Sequence, residues 1–546
     1  MTPPPKRLVA DWQALMRTFI RPEDDQTHQT LLKYMEQILF RLHDFLKTHV
    51  GITEETSLKE LGRQFTTTRL CATPVKKLED VITDLIVDIA PRAVNVHSPY
   101  FVGHMTSAIP FFMVHLKSIV AALNQNVVKL ETSKVVSVVE KQLLAKIHRL
   151  IYGKDDAFYG RHVQNPDTCL GSFTENGTMA NITAFWVARN QALKPRQDFA
   201  GVEADGIGAA YEAYGIKRCV ILVSRRGHYS LRKSAGLLGI GNKNLVAIDT
   251  APDDRIDLDH LKSTIETFQN PSQQTLILAV VGIAGATETG VVDPLSEMAQ
   301  ICAQKQIHFH VDAAWGGPTL MSRKYRALLS GIEKADSVTI DGHKQFYMPM
   351  TCGMVYFKSP HIMDAVTYHA NYINRMGSVD LGIKSLSGSR EANSLILDSA
   401  LKIMGTQGYA LLIEHGIETA QKFAAEIEKR PDFQLITPPT LNILTYRLFP
   451  KGLRPAATAS EIGQSQGLTK QLNHINRTIQ RLQREAGKSF VSRTTLTLSG
   501  KDVNNVMVLR SVIMNPMTDL AILNEVLDEQ LVIYQTHFDQ ATGKEK

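Results

Sequence analysis

Lys344 closes the segment SVTIDGHK (Ser337–Lys344), a β-branched run that ends in Asp-Gly-His-Lys. A lysine just beyond a buried strand is unusual, because burying an ammonium is costly. Schiff-base chemistry is one reason to place it there: desolvation and neighbouring cations free such an amine to attack a carbonyl. Upstream, IHFHVDAAW (Ile307–Trp315) reads as a strand whose alternation puts His308, His310 and Asp312 on one face, with Asp312 near its carboxyl end. In open α/β sheets that edge is where ligands bind. The small residues that follow, Ala313, Ala314, Gly316 and Gly317, leave space for a flat ligand beside the carboxylate. The plainer readings are a lysine on a surface turn and an aspartate capping the next helix. His308 and His310 also raise a metal site, but the other strand ends offer no further ligand set, so no metal is expected.

Spacing joins the two segments. Between Asp312 and Lys344 lie one helical stretch and one strand, the length of a single crossover, so both strand ends can face one cleft. An acid and a lysine so placed match the needs of pyridoxal 5'-phosphate: the carboxylate holds a proton on the pyridine nitrogen and the lysine bonds the aldehyde carbon. A phosphate site is offered by SFTENGTMAN (Ser172–Asn181), a short apolar piece followed by a helix expected from about Met179. Backbone N–H groups at a helix N-terminus bind anions, Gly177 allows close approach and Thr178 adds a hydroxyl. His228, in SRRGHYS after the run Cys219–Val223, stands where an imidazole can stack on a planar ring. GLLGIG (Gly236–Gly241) does not match the GxGxxG dinucleotide fingerprint.

The elements around these residues read as an α/β protein. Short apolar runs, Cys219–Val223, Leu245–Ile248, Leu276–Ile283, Ile307–Val311, Ser337–Ile340 and Met354–Phe357, alternate with helical segments, the pattern of a largely parallel, doubly covered sheet. Residues 1–95 show helical periodicity, Asn95–Gly103 reads as loop, and a long helix is expected from about Val127 to Ile151. Helix returns over 390–430, followed by strands at Leu441–Leu448 and Met507–Ile513 and a terminal helix near 518–536. Lys451–Gly467 reads as loop.

Composition narrows the class. The chain has 546 residues, of which 44% are hydrophobic and 21% charged, which excludes a mostly disordered or collagen-like protein. A net charge of +6 over this length does not call for nucleic acid or membrane. The five cysteines form no CxxC pair and suit a reducing cytoplasm. The first twenty residues lack the apolar core of a signal peptide, and the longest apolar stretch, Leu276–Ala286, is too short for a bilayer, which needs about 20 residues.

With its motifs in this order the chain resembles the group II pyridoxal phosphate-dependent amino acid decarboxylases, which include enzymes for glutamate, aromatic amino acids and cysteine sulfinate. The resemblance covers roughly residues 90–430 and rests most on HVDAAWGG (310–317), DGHK (341–344) and CGMVYFK (352–358). It implies fold type I, as in aspartate aminotransferase. The large domain (126–400) would carry a mostly parallel seven-stranded sheet, beside a helical, dimer-forming N-terminal segment (1–125) and a smaller α+β C-terminal domain (401–546). A homodimer with active sites at the subunit interface is implied too. Carried over by position, Lys344 is the cofactor-bonding lysine, Asp312 the partner of the pyridine nitrogen, Ala314 the residue beneath the ring and His228 the stacked imidazole. Gly177, Thr178 and His343 match phosphate contacts, and Thr287 in GATETG matches a cofactor-side threonine. Tyr372 in HANYIN matches a proton-delivering tyrosine, with Tyr368 a competitor. Arg390 in SGSRE matches a substrate-carboxylate arginine, and His104 in SPYFVGHMTS points at the substrate. Gln345 departs from the apolar or aromatic residue of many relatives. The bacterial branch that decarboxylates L-aspartate at C1 to β-alanine and carbon dioxide, a route to pantothenate, is the most similar. Glutamate or another acidic amino acid is the alternative substrate, and an aminotransferase or carbon–sulfur lyase the rival reaction.

Overall fold

Cys219, Ile221 and Val223 face one way along their strand, Val220 and Leu222 the other, and both sets are buried in separate hydrophobic clusters. A strand with no wet face reads as an unbroken apolar run, which is why this sheet is visible in the sequence. Each such side chain contributes about 1.5–3 kcal/mol by leaving water. The computed structural model describes residues 25–47, 50, 58–369, 380–454, 466–497 and 505–539.

The large sheet contains β1 (Gly171–Thr174), β2 (Arg218–Ser224), β3 (Leu245–Ile248), β4 (Thr275–Ile283), β5 (His308–Asp312), β6 (Ser337–Asp341) and β7 (Gly353–Phe357), in the order β1-β7-β6-β5-β4-β2-β3. β7 runs antiparallel to both of its neighbours and every other pairing is parallel. Six strands therefore end at one edge. The helix Gly177–Ala192 packs against the sheet and is buried along most of its length.

A second sheet, β8 (Phe433–Thr437), β9 (Ile443–Leu448), β10 (Ser492–Thr497) and β11 (Asn505–Val512), is antiparallel in the order β10-β11-β9-β8. It shares a separate core with Phe423, Ile475, Ile479 and Val526. The helix Asn393–Lys429 connects the two cores. Its first part packs in the large cluster through Leu397 and Ala400, its last part in the smaller one through Phe423 and Ile427, and Gly405 kinks it with φ of 62°.

The N-terminal segment forms the helices Asp25–Leu46, Leu58–Gln64 and Leu78–Asp84, with non-helical backbone between the last two. Two expected boundaries move. The helix expected from Val127 runs Val135–Tyr152, because Val127 N–H is committed to the Arg390 carbonyl and Lys134 has a φ of 37° that no α-helix continues through. The helix expected at Met179 begins at Gly177, capped by the Asn176 side chain, which accepts from Met179 N–H. Among the described residues no helix is long and apolar enough to cross a membrane.

Candidate active site

The shared edge of the parallel strands explains why residues far apart in sequence meet. The turn after β1 brings Gly177 and Thr178, that after β2 brings His228, and that after β4 brings Thr287. Asp312 ends β5 with Ala314 just beyond, and His343 and Lys344 follow β6. With His104 they line one cavity of about 320 Å³, within the range of roughly 300–1,000 Å³ common for small-molecule sites. His104 arrives on a loop that is sewn to the second sheet and the segment before it: Val512 N–H on β11 donates to the Val102 carbonyl at 2.7 Å, Val102 N–H donates to the Phe490 carbonyl, and the Phe101 and Phe490 rings stack with centroids 5.1 Å apart.

Lys344 Nζ lies 2.9 Å from Asp341 Oδ2, and His343 Nε2 lies 3.6 Å from the same oxygen. Asp341 is buried, and its Oδ1 has no hydrogen-bond partner among the described residues. Asp312 accepts from Ala314 N–H at 3.2 Å through Oδ1 and from Asn181 Nδ2 at 3.0 Å through Oδ2. His228 caps the helix Tyr229–Leu237, its Nδ1 accepting from Ser230 N–H. Burial lowers the pKa of His104, His228 and His343, so each favours its neutral form; for His104 the charge of Arg510 adds to the effect.

This arrangement fits pyridoxal phosphate. Gly177 and Thr178 open a helix whose first N–H groups have no partner within the helix. A Cβ at position 177 would lie 2.8 Å from Asp341 Oδ1 and close the cradle, so glycine is required there by space. Gly285, also on the cavity wall, has a φ of 100°, and a Cβ there would meet the Trp315 ring at 2.9 Å. A lysine, a buried carboxylate fixed by two donors and a small residue beside it are the donor set that an aromatic aldehyde with a basic ring nitrogen requires.

One expected residue, Arg390, is not brought to this cavity. Arg390 is turned into the protein, where its Nη1 and Nη2 lie 2.9 and 2.5 Å from the two oxygens of Glu140. This corrects the expectation of a substrate-binding arginine at 390: Glu140 is buried, and an unpaired charge there would be far costlier than the loss of a solvent-facing arginine. Tyr372 lies outside the described residues. Its competitor Tyr368 hydrogen-bonds Glu203 through its hydroxyl and is absent from the cavity wall.

Two arginines that the motifs did not single out bear on the site: Arg226 lines the cavity, and Arg510, which does not line it, lies behind the His104 loop. Arg510, on β11, is buried; Nη1 donates to the Gly103 carbonyl at 3.1 Å and Ser492 Oγ at 3.0 Å, while Nε and Nη2 have no partner among the described residues. Burial pushes its pKa down to about 10. Its signal in the sequence was a lone arginine inside the apolar run VMVLRSVI. Arg226, on the cavity wall, is held by Asp254 and reaches the Thr497 carbonyl at 3.2 Å, which ties the β2 turn to the second sheet. Asp341 and Asn181 also line the cavity, at the ends of the DGHK and SFTENGTMAN segments, with nothing in their spacing to single them out.

Residues 69–449 match the family model described as the pyridoxal-dependent decarboxylase conserved domain. An aspartate 1-decarboxylase of Aliivibrio fischeri is 44% identical over 527 residues, covering 96% of this chain and 95% of that protein. An L-2,4-diaminobutyrate decarboxylase of Acinetobacter baumannii is 27% identical over 66% of this chain and 69% of its own length. In structure, mouse CSAD in its apo form superposes with a TM-score of 0.78 over 92% of this chain and 98% of its own, at 21% identity, which speaks for the shared fold. Lysine, carboxylate and a glycine-opened helix start on one sheet edge thus coincide with a domain match over most of the sequence, and the chain belongs to the pyridoxal-dependent decarboxylases, enzymes of fold type I.

Proposed function

We propose that this enzyme removes the α-carboxylate of L-aspartate, giving β-alanine and carbon dioxide. The observation that carries the substrate is the 44% identity to an aspartate 1-decarboxylase along 96% of the chain. Glutamate is the alternative. Arg510 supports an acidic substrate of either length: a buried guanidinium with two unpartnered nitrogens next to His104 suits a carboxylate, which can pair with an arginine in bidentate fashion.

In this reading Lys344 would hold the cofactor's aldehyde, Asp312 its ring nitrogen and Gly177, Thr178 and His343 its phosphate, with Ala314 and His228 on the two faces of the ring and Thr287 at its flank. When bound, pyridoxal phosphate supplies an electron sink for the bond that loses carbon dioxide. Asp341 holds the Lys344 ammonium at 2.9 Å and keeps it aimed into the cavity. Neutral His228 and His104 leave the cationic work to Arg510, which orients the substrate. Lys344 and Tyr372 are the candidates for returning a proton to the α-carbon.

A homodimer is part of the proposal. Leu32, Leu39 and Phe40 on the first described helix, and Phe111, Val114 and Ile119 on and beside Phe112–Leu123, are exposed apolar side chains that a second subunit would cover. Five free cysteines suit the cytoplasm as its place of work. The test is incubation of the cofactor-loaded enzyme with aspartate, glutamate and cysteine sulfinate separately, identifying each amine. β-Alanine from aspartate at the highest kcat/KM is expected; a preference for either other acid, or a keto acid product, overturns the assignment.

A further inference from the structure

His308 and His310 lack a role in the reading above, yet they begin a continuous hydrogen-bonded path that ends at two residues of the site. His308 Nε2 and His310 Nδ1 each lie 2.8 Å from Ser337 Oγ, His310 Nε2 lies 3.0 Å from Asn181 Oδ1, and Asn181 Nδ2 lies 3.0 Å from Asp312 Oδ2 and 3.2 Å from Ser230 Oγ. Ser230 Oγ in turn lies 2.8 Å from His228 Nδ1. His310, Asn181, Ser230 and Ser337 are all essentially inaccessible to water.

The donors can be assigned from one end. A carboxylate only accepts, so Asn181 must present its NH₂ to Asp312 and its carbonyl oxygen to His310. His310 Nε2 then carries the proton, and its Nδ1 accepts from Ser337. On the other branch Asn181 donates to Ser230 Oγ, whose hydroxyl proton goes to His228 Nδ1. The Ser230 backbone N–H donates to the same nitrogen, 3.3 Å away. His228 therefore carries its proton on Nε2. Burial drives the pKa of His310 down to about 3, which keeps it the neutral donor that this order requires.

We propose that Asn181 is a positioning residue of the reaction: locked one way round by His310, its amide fixes both the Asp312 carboxylate and, through Ser230, the tautomer of His228. The proposal rests on the reading of Asp312 and His228 as cofactor contacts. An amide suits this place because it offers a donor edge to the site and an acceptor edge to the interior, and no charged side chain offers both.

The experiment measures the pyridoxal phosphate dissociation constant and the visible spectrum of Asn181→Leu, His310→Leu and His310→Gln, with thermal midpoints of each cofactor-free protein. Expected are a cofactor affinity at least about tenfold weaker and an altered visible band for Asn181→Leu and His310→Leu, a loss of 1.4 kcal/mol or more per site. His310→Gln, whose amide can still donate to Asn181, should recover near wild-type affinity. If Asn181→Leu does not fold, the two His310 variants, which touch neither Asp312 nor the cavity, decide the matter. Lower midpoints with unchanged affinity and spectrum would mean that the path serves packing alone and would overturn the proposal. So would equal losses in His310→Leu and His310→Gln. Asp312→Ala, run alongside, separates the two levels. Unchanged cofactor affinity there removes the underlying reading and this proposal with it, whereas a loss there with none in Asn181→Leu removes only this one.

Discussion

Replacing Arg510 by methionine separates catalysis from stability. The side chain is buried on β11, uses Nη1 for Gly103 and Ser492, and leaves Nε and Nη2 without partners among the described residues. If those two nitrogens bind the substrate carboxylate, the variant loses two charge-assisted hydrogen bonds, each worth about 1.5–3 kcal/mol. The sum, about 3–6 kcal/mol, corresponds to roughly 10²–10⁴-fold in kcat/KM. Stability should move little. Methionine leaves the Gly103 carbonyl and Ser492 Oγ short of a donor, at about 1–3 kcal/mol each. It also removes a buried cation with no ion pair among the described residues, and apolar replacement of buried charges is often neutral or stabilising by about 1–4 kcal/mol. The assay is β-alanine formation from aspartate over a range of concentrations, with urea unfolding of the same preparation. Arg510→Lys, which keeps the charge but loses the planar fork, should fall between wild type and Arg510→Met. The reasoning fails if Arg510→Met keeps kcat/KM within about threefold of wild type, since that is less than one neutral hydrogen bond. It fails equally if the loss of activity is matched by a loss of folded protein.

The two arginines show what the sequence carries and what it hides. Parallel strands buried on both faces leave continuous apolar runs, so β2 to β7 stand within a residue or two of their expected limits. Their carboxyl ends carry most of the cavity, because that edge is where small residues, a carboxylate and a lysine break an otherwise apolar pattern. Arg390 occupies a position that matches a substrate-binding arginine, but which way a long side chain turns depends on its partner, and Glu140 lies 250 positions away in the sequence. No local pattern records that pairing. Arg510 presents the opposite case. A charge inside an apolar strand is the kind of local conflict that marks function, yet it stands about 60 residues beyond the last family-model position and belongs to the second sheet. Helix ends were the other blind spot. The start at Gly177 depends on the Asn176 cap, and the start at Val135 on a left-handed Lys134; neither changes the apolar period.

Lys344→Ala should remove the borohydride-trapped cofactor adduct from its peptide and lower kcat by at least about 10³, read by mass mapping and single-turnover assay; an adduct retained elsewhere would redirect the assignment. Glu140→Gln should destabilise the fold by about 3–5 kcal/mol in urea, because Arg390 would be left buried without its counter-charge; a cost under about 1 kcal/mol would mean that the pair is not needed. The acid limb of stability should be steep, and His310 is a cause that can be removed. Its folded pKa of about 3 lies below the value of 6.5 it has when exposed. Above pH 6.5 both folded and unfolded chains hold it neutral and its contribution is complete. As the pH falls below 6.5 the unfolded chain takes up a proton that the folded one refuses, and stability drops until the folded pKa is reached. The slope from one such group approaches about 1.4 kcal/mol per pH unit. His148, with its pKa lowered to about 4 by burial, adds to it with the same sign. His310→Gln removes one proton from that slope while keeping the donor to Asn181, so its unfolding free energy should fall less between pH 6.5 and 5 than that of the wild type. Parallel curves for the two proteins would show that His310 is protonated in the fold at these pH values, and the donor assignment along the path to Asp312 would fall with it.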